Sequence, residues 1–383
     1  MNKKLRVVVL GAGFGGLELT SILSSRLADK LDLTLIDKND SFYFGYSKLD
    51  VMFDRKSAGD VRFPYDRILK NGVTFRQEHI TSIDPVSRRV TTNLDTYSAD
   101  VLVLALGADY DLDATPGLSD AGYEFYTFEG AEKARDVLAS FRKGHIVVGV
   151  TGFPFKCPPA PSETALLLDE YLTRKGIRNN CQISLVLPYE LPIPPSLGTS
   201  KALLKTFRDK GIRYIPDILV GSIDPVRKLA ELDDGREIPF DLFLGIPEHC
   251  VPKVVEESGL VFDEWVPVDH TNLKTRFPRV YAIGDVSSAG VPKSGQFARS
   301  AAETVAESIL SEFHGKELPS PFSGKSICYV DFGYGNVARA DVDFFSKKVA
   351  TGIHRDASPL LAEEKNRLET HLLSRWFDIN PHE

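Results

Sequence analysis

Cysteine is scarce here, with four residues in a chain of 383, and that scarcity excludes a disulfide-stapled scaffold. If any of the four pair, the pairing points to catalysis rather than to structural bracing. No apolar run approaches the roughly 18 residues that a membrane-spanning helix needs. Basic excess is absent too: 46 Lys and Arg against 53 Asp and Glu leave a net charge of −7, which argues against a nucleic-acid partner. Ahead of the first strand pattern there is no apolar stretch with a small-residue cleavage site, so a cytoplasmic protein is expected, at most peripheral on the inner membrane face. Internal repeats and low-complexity segments are also missing.

What the chain does contain is an alternation of strand and helix signals, which favours an α/β class. Residues 5–10 are apolar apart from Arg6 and include three consecutive valines, as in a strand buried on both faces. A glycine-rich turn, a helical stretch over 17–27 and a strand over 33–36 complete one βαβ unit. Buried strands are expected at 100–105, 145–150, 182–187 and 280–283, and helices at 165–174 and 296–310. The organisation predicted is two Rossmann-like domains with a small C-terminal α+β cap. The first domain, 1–110 with 270–320, is discontinuous; the second is 111–269; the cap is 321–383.

Gly11, Gly13 and Gly16 form G-x-G-x-x-G between a strand and a helix. The first glycine permits the tight turn, the second lets backbone approach a pyrophosphate, and the third lets helix and strand pack. The helix N-terminus then offers free N–H groups to the phosphates. Asp37 ends the next strand, where an acid takes a ribose hydroxyl. By itself this pattern fits NAD and FAD equally.

Two further segments separate them. Thr275-Arg-Phe-Pro-Arg-Val-Tyr-Ala-Ile-Gly-Asp285 resembles the T-x-x-P-x-V-Y-A-x-G-D segment of flavoprotein disulfide reductases, and residues 100–107, including Ala105 and Gly107, resemble their second short FAD motif. The resemblance implies FAD, with Gly284 and Asp285 at the ribityl chain and flavin phosphate. It implies non-covalent attachment, because residues 41–53 carry no cysteine. Lys293 precedes the helix whose N-terminus would face the flavin pyrimidine edge. It either adds positive charge there or is a solvated loop lysine.

The second unit lacks its fingerprint. After residues 145–150 come Thr151-Gly-Phe-Pro-Phe-Lys-Cys-Pro-Pro-Ala-Pro161, bulky where backbone should approach phosphate. No acid ends the next strand; the first is Glu190. A fold kept without its usual ligand makes NADH an unexpected donor.

In the fingerprint's place stands Cys157. Its surroundings, 156–163, resemble the matching stretch of sulfide:quinone oxidoreductases and of the flavoprotein subunit of flavocytochrome c sulfide dehydrogenase, as does 243–260. Those families carry a second redox cysteine where the C-terminal sheet begins, and Cys328 matches it. The resemblance, from residue 5 to about 345, implies sulfide as donor, a persulfide on one cysteine, a thiolate facing the flavin, and quinone as acceptor. Cys328 is favoured as the persulfide carrier, with the assignment left open. Glu163 matches an acid/base glutamate, against the plainer reading of a carboxylate at a helix N-terminus. Cys181 and Cys250 are taken as structural. The third cysteine of many quinone-reducing relatives has no counterpart between residues 1 and 156.

Leu361, Leu368, Leu372 and Trp376 share one helical face. Such a stripe either dips into a membrane surface or packs on its own domain or on a second copy in a homodimer. Tyr329, Phe332 and Tyr334 line a quinone pocket or the sheet core. The rivals to sulfide oxidation are a type II NADH:quinone oxidoreductase-like enzyme and a non-catalytic flavoprotein that binds a redox partner.

Overall fold

A computed structural model of the chain describes residues 4–45, 47–317 and 320–377. Residues 378–383 of the expected cap lie outside the described residues. Two five-stranded parallel sheets dominate. In the first, Leu5–Leu10 is central, flanked by Leu31–Asp37 and Val101–Leu104, with Val73–Gln77 and Val280–Ala282 at the edges. Val7 pairs with both Leu33 and Val101. A strand with neighbours on both sides and helices on both faces has no polar side, which is why Val7, Val8, Val9 and Leu10 are all buried.

The second sheet repeats this plan. Gly144–Val150 is central, between Cys181–Val186 and Leu242–Ile246, with Ile212–Ile215 and Gly122–Glu124 outside. Each sheet is accompanied by a three-stranded antiparallel flap, Ile80–Asp84 to Thr96–Ser98 in one case and Val220–Asp224 to Glu237–Pro239 in the other. The chain shows no sequence repeat, yet its architecture is duplicated. Burial and register constrain residue classes, not identities, so self-similarity has been lost while the plan persists.

The helix Gly295–His314 packs against Phe14–Leu27, Gly295 close against the Phe14 ring and the Ala298 carbonyl close against Gly15. Ser294 caps it by accepting from the Phe297 amide, and Gly315 ends it in the left-handed conformation.

The C-terminal unit is an antiparallel sheet of Lys325–Asp331, Val337–Asp343 and Thr351–Ser358, followed by the helix Pro359–Phe377. The third strand carries polar and charged residues on an exposed edge and gave no apolar signal. The stripe of the last helix faces inward. Leu372, Leu373, Trp376 and Phe377 are buried, Trp376 within a cage of Phe14, Phe42 and Phe44. Its indole N–H donates to Glu18 Oε2 (2.8 Å), and Arg375 pairs with Glu18 Oε1 (3.1 Å). Leu372 and Trp376 are thus taken up by the first domain's own aromatics, whereas Leu361 and Leu368 are half-buried. Among the described residues no helix is long and apolar enough to cross a membrane.

Candidate active site

The first turn fits the expectation glycine by glycine. Gly11 has φ +98°, and a Cβ there would stand 2.4 Å from the Ala105 carbonyl oxygen. A Cβ on Gly16 would meet the Gly11 carbonyl oxygen at 1.9 Å. Gly13 differs: nothing in the protein lies within 4 Å of its added Cβ. Two glycines therefore serve the protein's own packing, and the third keeps backbone bare toward the cleft. No side chain caps the helix Phe14–Leu27, so its first N–H groups stay available to an anion.

Asp37 Oδ2 accepts from the Ala12 amide (2.8 Å), and Oδ1 accepts from both the backbone and side-chain nitrogens of Asn39 (2.9 Å each). The carboxylate is thereby fixed at the lip of the turn. Tyr65, unremarked in the sequence, donates to the Ala12 carbonyl (2.9 Å) and braces the loop from the other side.

One cleft of about 410 Å³ runs from this turn across to the second unit, within the range of cofactor sites. Gly11, Gly13, Asp37, Ala105, Gly107, Gly284 and Asp285 line its first half. Asp285 Oδ1 is buried without a hydrogen-bond partner among the described residues, an acceptor that a ribityl hydroxyl would satisfy. The bare turn, the uncapped helix and this orphaned carboxylate oxygen together fit FAD.

The other half is lined by Lys48, Lys156, Cys157, Glu163, Asp331 and Lys365. The loop 151–159 fills the second unit's turn. Cys157 has φ +56°; its amide donates to the Lys293 carbonyl (2.7 Å), and its own carbonyl accepts from the Ala160 amide (2.8 Å). The thiol thus stands at the start of the helix Ala160–Arg174, tied to the segment that carries Asp285. Burial, then the charge of Glu163, push Cys157 up to about 12. Burial pushes Cys328 well above its ordinary value, with Cys157 and Glu163 as its charged neighbours. Both cysteines are half-buried and Cys328 feels the charge of Cys157, but of the two only Cys157 lines the cleft, and all four cysteines are free thiols.

Glu163 Oε1 accepts from the Asp331 amide (2.8 Å), joining the second unit to the strand that carries Cys328. Burial raises this carboxyl to about 7, with Lys365, the Asp331 amide and Arg55 opposing the rise. A group poised there can take or give a proton at neutral pH.

Lys293 does not line the cleft. Its ammonium is buried behind the cleft, 3.1 Å from the Trp265 ring centroid, and donates to the carbonyls of Asp285 (2.5 Å) and Ser287 (3.4 Å). Carbonyls and an indole face outcompete the cleft for the charge; the residue braces the Asp285 loop. Tyr329, Phe332 and Tyr334 do not line the cleft either. Tyr329 donates to Glu364 (2.7 Å), Phe332 is buried, and Tyr334 lies under Lys210 (4.2 Å).

Lys48 and Lys365 are among the cleft residues that sequence reasoning missed, with Tyr65 and Asp331. Lys48 sat in a segment read only for the absence of cysteine, and Lys365 on the polar face of an amphipathic helix; neither has a local signal.

Residues 5–303 match the family model described as pyridine nucleotide-disulphide oxidoreductase. The mitochondrial sulfide:quinone oxidoreductase of Dictyostelium discoideum is 22% identical over 359 residues, 88% of this chain and 78% of that protein. The type II NADH:quinone oxidoreductase of Staphylococcus aureus is 31% identical over 357 residues, 86% of each. The solved structure of the sulfide:quinone oxidoreductase from the hyperthermophilic bacterium Aquifex aeolicus gives a TM-score of 0.86 over 98% of this chain and 92% of that one, at 24% identity. That last likeness carries the fold.

Proposed function

The chain belongs to the pyridine nucleotide-disulphide oxidoreductase family and is an FAD-dependent quinone oxidoreductase; from that premise we propose that its electron donor is sulfide, oxidised at Cys157 and Cys328. The observation that carries this reading is the second turn. Where a nicotinamide dinucleotide would need bare backbone, a cysteine faces the cleft beside a buried carboxyl of pKa about 7.

With Cys157 and Cys328 joined by a sulfur–sulfur bond, incoming HS⁻ attacks one sulfur. The bond between the cysteines breaks, a new one forms to the incoming sulfur, and the other cysteine leaves as a thiolate. Cys328, off the cleft, suits the persulfide; Cys157, on it, suits the thiolate. Burial disfavours that charge, so the thiolate is poised to give up its electrons. Glu163 takes the proton that the incoming sulfide or the persulfide loses. Bound FAD supplies the two-electron relay from cysteine sulfur to a quinone. The sulfide sulfur, two electrons poorer, departs as sulfane sulfur on a second sulfide.

A second reading, NADH as donor, has the 31% identity to a type II NADH:quinone oxidoreductase in its favour. The filled turn opposes it. Anaerobic addition of each donor to the yellow protein separates the two. Sulfide should bleach the flavin band quickly and NADH should not; prompt bleaching by NADH alone would overturn the sulfide reading.

A further inference from the structure

Two lysines from separate segments line the cleft without an ion-pair partner among the described residues. Lys48 Nζ donates to the Tyr126 carbonyl (2.6 Å), and Lys156 Nζ lies 4.6 Å from the Tyr110 ring centroid. Tyr110 links them: its hydroxyl reaches the same Tyr126 carbonyl (3.4 Å), and the two tyrosine rings meet edge to face. The lysines come from different parts of the chain, a short helix of the first unit and the residue before Cys157, and meet in one recess. No carboxylate among the described residues stands within ion-pair distance of either. Three acids act on the pair from further off, Glu124, Glu129 and Asp285; Glu124 is committed to the amides of Tyr126 and Thr127 (2.7 and 2.9 Å) and to the Thr127 hydroxyl. His249, wedged between the two tyrosines, is kept neutral by burial and by Lys156.

A buried charge is costly unless something of opposite sign completes it. Burial and the charge of Lys156 together lower Lys48 to about 7; an anion seated between the two lysines would hold both protons in place. We propose that Lys48 and Lys156 form an anion subsite that receives the sulfur substrate as a small monoanion, hydrosulfide or a hydropolysulfide, and holds it next to Cys157. This rests on the sulfide reading above and adds which protonation form is bound and by what. The charge-assisted contacts also fix where the anion sits relative to Cys157.

The test uses the FAD-loaded protein with Lys48→Met, Lys156→Met and the matching Arg variants. In stopped-flow bleaching, each Met variant should raise the sulfide concentration for half-maximal rate by about tenfold, the limiting rate should fall far less, and Arg should recover most of the loss. Thiocyanate, a monoanion without reducing power here, should perturb the wild-type flavin spectrum saturably and lose that effect in both Met variants. Unchanged half-saturation in both variants, with wild type bleached by sulfide, overturns the subsite and leaves sulfide oxidation standing. A shifted flavin midpoint potential or loosened FAD, with half-saturation unchanged, also overturns it and gives the lysines to the cofactor. Wild type inert to sulfide brings down the donor reading itself, and the subsite with it.

Discussion

The two strand-to-helix turns of this molecule start from the same plan and end in opposite chemistry. In the first unit the turn is short, its helix is uncapped, and Gly13 leaves bare backbone toward the cleft. In the second, residues 151–159 fold over the helix start and put a thiol there instead. Both helices are backed by the C-terminal unit: the first through Trp376 against Phe14, the second through the Asp331 amide on Glu163. The difference teaches that a phosphate cradle is set by what is left out of a turn. Filling that turn removes the bare backbone and puts a cysteine at the cleft while the sheet behind it is retained.

The sharpest way to break the contrast is to remove the sulfur. Cys157→Ser and Cys328→Ser should each slow flavin reduction by sulfide on the order of 10³-fold or more, since no disulfide can form, while FAD remains bound because the first turn is untouched. Anaerobic stopped-flow spectra read both quantities. FAD loss in either variant would mean that the two turns are not independent.

Next comes Glu163→Gln, expected to lower the same rate by about 100-fold. In the wild type the rate should climb as pH rises through about 7, where Glu163 becomes a base, and the Gln variant should lack that inflection. The sign for stability is opposite. A carboxyl raised in the folded state holds a proton that the unfolded chain releases, so stability falls as pH rises from the ordinary carboxylate range to about 7. Denaturant midpoints across that window should decline in wild type and stay level in Glu163→Gln.

How much of this was legible beforehand follows from the kind of signal each part carries. Gly11, Gly13, Gly16 and Asp37 could be read because their roles are backbone roles at fixed local spacing. The paired sheets could be read because doubly buried strands leave apolar runs. Cys157, Cys328 and Glu163 came only through resemblance, since 171 residues separate the cysteines in the sequence and no periodicity joins them. Lys48 and Lys365 were hidden, because a buried cation looks like a surface one until the fold closes round it. Lys293 stands beside a helix N-terminus, as its place in the chain implied, but Trp265 and the carbonyls that hold its ammonium come from positions no local pattern marks.

Gly13→Ala tests the claim that the first turn is bare for a ligand and not for the protein. Its Cβ meets no protein atom, so the apoprotein should melt within about 0.5 kcal/mol of wild type, while FAD should bind about tenfold more weakly. Equal FAD affinity would remove the cofactor from that spot.

The smallest effect concerns what stands behind the first turn. Trp376→Phe keeps the aromatic cage but deletes the N–H that donates to Glu18 Oε2, a carboxylate fully buried on the helix Phe14–Leu27. Arg375 still pairs with the other oxygen, so the buried charge is not abandoned, and the cost should be about 1–2 kcal/mol. Because Phe14 both lines the cleft and touches Trp376, FAD release should quicken slightly, whereas sulfide half-saturation, set at the other turn, should not move. A variant that instead weakened vesicle binding would mean that Trp376 reaches lipid, contrary to its burial. One whose sulfide kinetics changed while FAD stayed tight would show that the C-terminal unit couples the two turns more strongly than it braces either.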